Sequence, residues 1–276
     1  MRVTSLTIHP VKACAGVPVQ RATLDDTGLL LDRRWMIVDA AGRFVTQRTH
    51  PALALVAVAV HDEHVSMEAP GHAPLALPLA AADDAPRRVV TVWDDTVSAR
   101  DASSDASAWV RSALGFDGAV VWVPTEDSRQ VDRRFARPGD RVGFADGFPL
   151  LLATDASLAD LNARLSEPVT MARFRPNVTV DGDVAFDEDL WSVLRIGAAL
   201  ARAAKPCARC SVVNVDPATG ATGLEPLRTL ATYRTFASKV FFAQNVVHFG
   251  ESVGLDIAVG DEVTVQSRRV DPGYGR

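Results

Sequence analysis

Short runs of β-branched and apolar residues, each closed by Gly, Pro, Asn or Asp, recur along almost the whole chain. That spacing constrains the fold more than any other feature. Leu6 and Ile8 alternate with Ser5 and Thr7 before a loop opens at His9-Pro10. Runs at 34–38 and 43–46 flank Asp39-Ala40-Ala41-Gly42, a hairpin signal in which Gly supplies the positive φ. Further strands are expected at 53–60, 65–68, 89–93, 119–123, 149–153, 178–180, 193–196, 198–201 and 211–215. A closing pair at 257–259 and 262–265 is expected around Gly260-Asp261. The proline- and alanine-rich stretch 68–88 reads as loop. Two helices are expected. The first, 105–114, places Trp109, Val110, Ala113 and Leu114 on one side and stops at Gly115. The second is capped by Thr154, carries Leu158, Leu161 and Leu165 on one face, and ends before Pro168. Many short strands with two isolated helices indicate an α+β, mainly β chain: two barrel-like β domains, 1–118 and 119–268.

Length and charge exclude several classes. At 276 residues the chain builds one large or two ordinary domains. A net charge of −5 without a sustained basic stripe argues against a nucleic-acid partner. No apolar run approaches the ~20 residues of a membrane span, and no signal core follows Met1. With three cysteines, an odd number, a reducing, cytoplasmic location is expected.

Two of those cysteines lie in Lys205-Pro206-Cys207-Ala208-Arg209-Cys210. A thioredoxin-type pair draws acidity from a helix N-terminus, whereas 211–215 reads as a strand closed by Pro217 and Gly220. A structural zinc site wants four ligands in paired spacings, and Cys14 has no paired partner. Two readings stay open: small buried hydrophobes at a strand end, or an exposed thiolate beside Arg209 and Lys205 that ligates a soft metal or acts as a nucleophile. Elsewhere Lys12, Arg33, Arg175, Asn177, Arg234, Gln244 and Asn245 stand in short stretches that read as loops, several pinned by Pro or Gly. Singly these are surface residues; together with a thiol they form a candidate anion cage, Arg and Lys for phosphate oxygens, Asn and Gln for a heterocycle edge.

An ordered set of motifs carries a resemblance. His9-Pro10-Val11-Lys12, Asp32-Arg33-Arg34-Trp35-Met36, Thr46-Gln47-Arg48 and Asp146-Gly147-Phe148-Pro149 are followed by Phe174-Arg175-Pro176-Asn177, Cys207-Ala208-Arg209-Cys210, Asp216-Pro217-Ala218-Thr219-Gly220 and Gln244-Asn245. The chain resembles the MOSC family in its two-domain form, which includes the mitochondrial amidoxime-reducing components and bacterial relatives. The resemblance implies a molybdenum cofactor, a molybdopterin whose metal is bound by Cys210, with Cys207 in a supporting part. It implies cofactor contacts from Lys12, Arg33, Arg175 and Asn177, with Arg209, Gln244 and Asn245 beside the same pocket. It also implies a catalytic Asp146 close to the metal. Ala13 and Asn214 depart from the pattern, where relatives commonly carry serine and threonine.

The implied activity is reduction of N-hydroxylated compounds such as hydroxylamino purines or amidoximes by oxygen-atom transfer. The alternative is a sulfur or cofactor carrier working through a persulfide on Cys210. Three cysteines fall short of the four thiolates of an iron–sulfur cluster, so a separate ferredoxin-like protein or flavin reductase is the expected electron donor.

Overall fold

The computed structural model describes residues 1–274. Its largest sheet has nine strands, running in the order Val17–Val19, Val3–Ile8, Val178–Val180, Leu150–Thr154, Lys239–His248, Ala199–Arg209, Trp191–Ile196 and Val263–Arg268, with Thr235–Phe236 pairing off this path. Neighbours are antiparallel except Leu150–Thr154 with Val178–Val180, a parallel pair. Parallel strands need a crossover. Here the crossover contains the helix Asp155–Asn162 and the 3-10 turn Met171–Phe174.

A four-stranded sheet, Trp35–Asp39, Gly118–Trp122, Asp95–Asp101 and Arg87–Val92, holds much of the N-terminal half. Both of its faces are covered. Trp35 and Ile37 enter a core with Leu53, Met67 and Val110, while Met36 and Val38 enter another with Val90, Val97 and Phe144. This is the period-2 alternation of a strand buried on two sides. Three smaller sheets complete the fold, and none of the sheets closes on itself among the described residues. The mainly β, α+β class is as expected.

Helix α1, Ala106–Leu114, ends at Gly115 in the left-handed conformation (φ 78°) that lets the chain reverse. Helix α2, Asp155–Asn162, starts where the Thr154 hydroxyl accepts the Ser157 N–H, and it stops before Leu165. Helix α3, Leu227–Tyr233, was not expected.

Several strand expectations are corrected. Residues 211–215 are not a strand: Ser211–Asn214 is a 3-10 turn, its Val213 packed with Leu161, Phe174 and Leu230. The strand lies earlier, at Ala199–Arg209, and it contains both Pro206 and Cys207. Pairing with Lys239–His248 slips on either side of that proline, between Ala203 and Lys205 and between Pro206 and Ala208, which absorbs the missing N–H. Pro51–Leu55 is a 3-10 turn and only Ala57–Val60 is extended. The stretch read as loop holds the strand Leu75–Pro78, whose Leu75 and Leu77 are buried. The two C-terminal strands do not pair with each other: Asp256–Ala258 joins Arg21–Asp25, and Val263–Arg268 joins Trp191–Ile196.

Candidate functional site: a cationic cleft with two thiols

Two loops near the N-terminus are laced together by backbone hydrogen bonds. Arg33 N–H donates to the His9 carbonyl, Trp35 N–H to that of Pro10, and Lys12 N–H to that of Trp35. The Asp32 carboxylate reinforces them, accepting from His9 N–H at 2.6 Å and from Arg33 Nη1 at 2.5 Å. The loop bearing Asp146 docks on the same place through Phe144 N–H and the Arg33 carbonyl. Gly143 permits this, because a Cβ there would lie 2.9 Å from the Arg33 oxygen. Lys12, Arg33 and Asp146 thus line one cleft.

The large sheet brings the opposite wall. Asn177 N–H donates to Leu151, Leu151 is paired with Asn245, and Asn245 with Lys205, giving a row across adjacent strands. The last residues of the Ala199–Arg209 strand, with Cys207 and Arg209, and Cys210 directly after it line the same cleft. Arg175 arrives at the end of the Met171–Phe174 turn in the left-handed conformation (φ 55°). Ala13 (φ 69°), Arg33 (φ 50°) and Trp93 (φ 56°), which also line the cleft, share that conformation. It is costly for residues with a side chain, and four of the nine such residues among the described ones line this cleft.

Charge in the cleft is unbalanced. Lys12 Nζ donates to Asp146 Oδ1 at 2.6 Å and to the Phe144 carbonyl at 2.7 Å. Burial lowers the Lys12 ammonium from its ordinary value, with Asp146 opposing that effect. Although the Asp146 side chain is 74% exposed, the surrounding protein works to raise its carboxyl, but the Lys12 charge and hydrogen bond, the Trp93 indole N–H at 3.1 Å and Arg33 outweigh that and hold it well below the usual carboxylate range. Arg175 is lowered to about 10 by burial and by Arg33, and its Nη2 has no hydrogen-bond partner. Arg209 donates from Nη2 to the Phe174 carbonyl at 2.9 Å and from Nη1 to Cys207 Sγ at 3.1 Å, leaving Nε unpartnered. Among the described residues that line the cleft, Asp146 is the one carboxylate against Lys12, Arg33, Arg48, Arg175 and Arg209, with Asp32 paired to Arg33 behind them. Such a surplus, with buried guanidinium N–H groups unused, fits an anionic ligand.

The three cysteines divide by environment. Cys14 is fully buried and its thiol is pushed up to about 12 by that burial, so it serves as a core residue. Cys210 is exposed to the cleft and Cys207 is half-buried beside it. A free, exposed thiol at one end of a cationic cavity can ligate a soft metal or attack an electrophile.

The structure brings together Lys12, Arg33, Asp146, Arg175, Asn177, Arg209, Cys210 and Asn245. Gln244 does not join them. Successive residues of a strand point to opposite faces, and Gln244 is fully buried with Nε2 donating to Asp189 Oδ1 at 2.6 Å. Arg234 is also elsewhere, in a buried pair with Asp189 at 2.5 Å. Asn177 has its side chain committed to protein: Oδ1 accepts from Leu151 N–H and Arg33 Nη1, and Nδ2 donates to Thr7 O. Its part is to hold Arg33 and join strands. Asn214 lies outside the cleft, where Oδ1 accepts the first N–H of α3. Sequence reasoning gave no role to Phe44, Arg48 and Trp93, which line the mouth. The one available signal was Trp at the tip of a tight hairpin, where Gly or Asn is usual.

A family model for the MOSC N-terminal beta barrel domain matches residues 1–117, and one for the MOSC domain matches residues 139–264. The chain is 33% identical over 276 residues to mitochondrial amidoxime-reducing component 1 of Mus musculus, covering 95% of this chain and 81% of that protein. It is 34% identical over 241 residues to mitochondrial amidoxime reducing component 2 of Homo sapiens, covering 84% of this chain and 72% of that protein. For component 1 of Danio rerio the identity is 35% over 244 residues, with 84% and 74% covered. Among the described residues, no helix is long and apolar enough to cross a membrane.

Proposed function

The chain belongs to the MOSC family, and from that premise we propose that it is a molybdenum-cofactor-dependent reductase of N-hydroxylated compounds. The observation that carries this reading is the meeting, in one cleft, of cations from both halves of the chain, Arg175 and Arg209 with unpartnered N–H groups, with the exposed Cys210 thiol. The residues fit the cofactor. Arg175, Arg33 and Arg209 would hold its phosphate and pterin oxygens, Asn245 would meet the heterocycle edge, and Cys210 would ligate the metal. Bound there, the cofactor supplies two-electron oxygen-atom-transfer chemistry. The net reaction is R–NHOH + 2 e⁻ + 2 H⁺ → R–NH₂ + H₂O.

The protein's own groups orient the substrate and manage protons. Asp146, held ionised, acts as a hydrogen-bond acceptor and positions a substrate N–H or O–H. It is a poor proton donor for that same reason. Lys12 Nζ, with its affinity for the proton weakened by burial, is the better donor at this place. The Trp93 indole N–H fixes the carboxylate from the outer side. In this reading a separate electron-transfer protein supplies the electrons. Free thiols at 207 and 210 suit a reducing compartment such as the cytoplasm.

The test is elemental analysis of protein made in a host that supplies the cofactor, paired with reduction assays using an artificial electron donor. Near one molybdenum per chain and turnover of an N-hydroxylated compound are expected, with Cys210→Ser removing both. Absence of molybdenum in the wild type overturns the reading. The exposure of Cys210 also favours a second reading, a sulfur carrier. A persulfide on Cys210 detected by mass spectrometry, with no turnover of any N-hydroxylated compound, decides for it.

A further inference from the structure

The proposed cofactor contacts do not use Trp93, yet the backbone is strained to place it. The strands Arg87–Val92 and Asp95–Asp101 pair with Val92 opposite Asp95, leaving Trp93-Asp94 as a two-residue loop. Such loops need positive φ at the first central position, which Gly, Asn or Asp adopts readily. Trp93 takes it at φ 56° and leaves its side chain 40% exposed. A large indole in a strained turn and partly open to water gains little for folding.

Its surroundings show what the position achieves. The indole N–H donates to Asp146 Oδ1 at 3.1 Å, so the ring is fixed against the carboxylate proposed to orient substrate. The Arg48 guanidinium lies 4.4 Å from the ring centre, and the Phe44 ring centre is 5.1 Å away at 54°. Arg48, Phe44 and Trp93 all line the cleft. Together they form a π-rich shelf that lines the cleft and adjoins the Lys12–Asp146 pair.

We propose that Trp93, braced by Arg48 and Phe44, is a specificity-determining residue that stacks flat, conjugated N-hydroxylated compounds in preference to saturated ones of the same functional group. The proposal rests on the reductase reading. A ring lying on the indole leaves its N–OH group beside Asp146 and Lys12. Stacking of a planar ring on an aromatic side chain contributes enough to change affinity by an order of magnitude. A saturated substituent offers no such face.

Benzamidoxime and acetamidoxime differ only in phenyl against methyl and serve as probes. Rates per molybdenum, with an artificial donor, are compared for wild type, Trp93→Gly and Trp93→Phe. Glycine suits the positive φ, so the first variant keeps the hairpin; the second keeps a ring. Trp93→Gly is expected to lower the ratio of kcat/KM for benzamidoxime over acetamidoxime about tenfold, chiefly through KM, and Trp93→Phe to retain most of it. An unchanged ratio overturns the proposal. Binding of benzamidoxime to the oxidised holoenzyme without a donor, read by calorimetry, separates the shelf from the reaction. A Kd about tenfold weaker in Trp93→Gly supports the shelf even if the wild type reduces neither compound, an outcome that would sink the reductase reading alone. A Kd independent of Trp93 overturns the shelf.

Discussion

Lys12 Nζ and Asp146 Oδ1 stand 2.6 Å apart, although 134 positions separate the two residues in the chain. The pair is asymmetric: the lysine side chain is 9% exposed and the aspartate 74%. Its charges are therefore not equivalent. Removing the aspartate leaves a cation in an enclosed place already crowded by Arg33 and Arg129, whereas removing the lysine leaves an anion that water can reach.

That asymmetry sets a pH dependence. Burial already lowers the Lys12 ammonium, and Asp146 is the main influence raising it. Asp146→Asn removes that support, so Lys12 loses its proton at lower pH. If Lys12 donates the proton, the alkaline limb of the kcat/KM profile moves to lower pH in Asp146→Asn, and Lys12→Met has no such limb. Profiles that coincide would remove Lys12 from the proton path.

Arg175 separates stability from function. Its left-handed φ and its enclosure beside Arg33 both work against folding. Arg175→Gly relieves both and is expected to raise unfolding stability by about 1 kcal/mol in urea titrations. The same variant loses the unpartnered Nη2 and with it most of the bound molybdenum. A variant that is less stable yet fully loaded would contradict both statements.

A second pH effect lies outside the cleft. Glu188 is fully buried, accepts from Ser157 Oγ at 2.7 Å and Thr154 Oγ1 at 3.1 Å, and burial pushes it up to about 7 from 4.5. Between those values the unfolded chain has released the proton that the folded chain retains. Stability from this group is complete below about pH 4.5 and falls as pH rises through 7. The gap corresponds to roughly 3 kcal/mol at most. Urea midpoints at pH 5 and pH 8 should differ by less in Glu188→Gln than in wild type. Equal differences would refute the assignment.

What could be read from residues alone was the set of polar groups held by loop-forming motifs. Lys12 beside Pro10, Arg175 beside Pro176 and Cys210 beside Arg209 all meet in one cleft. Their convergence depends on strand pairing, which local sequence does not encode. The strand Lys239–His248 went unread because Gln244-Asn245 interrupts its apolar run. The strand Ala199–Arg209 runs well past the expected 198–201, carrying Pro206 through a slip in register. Conversely, Ser211–Val215 has β-branched composition and still coils, because the core around Phe174 and Leu230 takes Val213. Trp93 was assigned to a strand one residue too long, which hid the turn that makes it unusual.

Period-2 alternation also yields the sharpest test of the cleft's boundary. Gln244 and Asn245 are adjacent and chemically alike, and composition alone treats them as one feature. In the structure Gln244 donates to Asp189, which also accepts from Arg234 and from the Tyr274 hydroxyl. Asn245 lines the cleft, with only a long 3.5 Å contact to the Pro206 carbonyl. Gln244→Ala therefore removes one donor from a buried carboxylate and leaves a void, at a cost of about 2 kcal/mol. Cofactor content at a temperature well below unfolding should hardly change. Asn245→Ala should do the reverse, lowering molybdenum content while the urea midpoint stays within the error of the wild type. If Gln244→Ala instead loses cofactor with its stability intact, the side-chain directions of this strand are wrong, and with them the outline of the site.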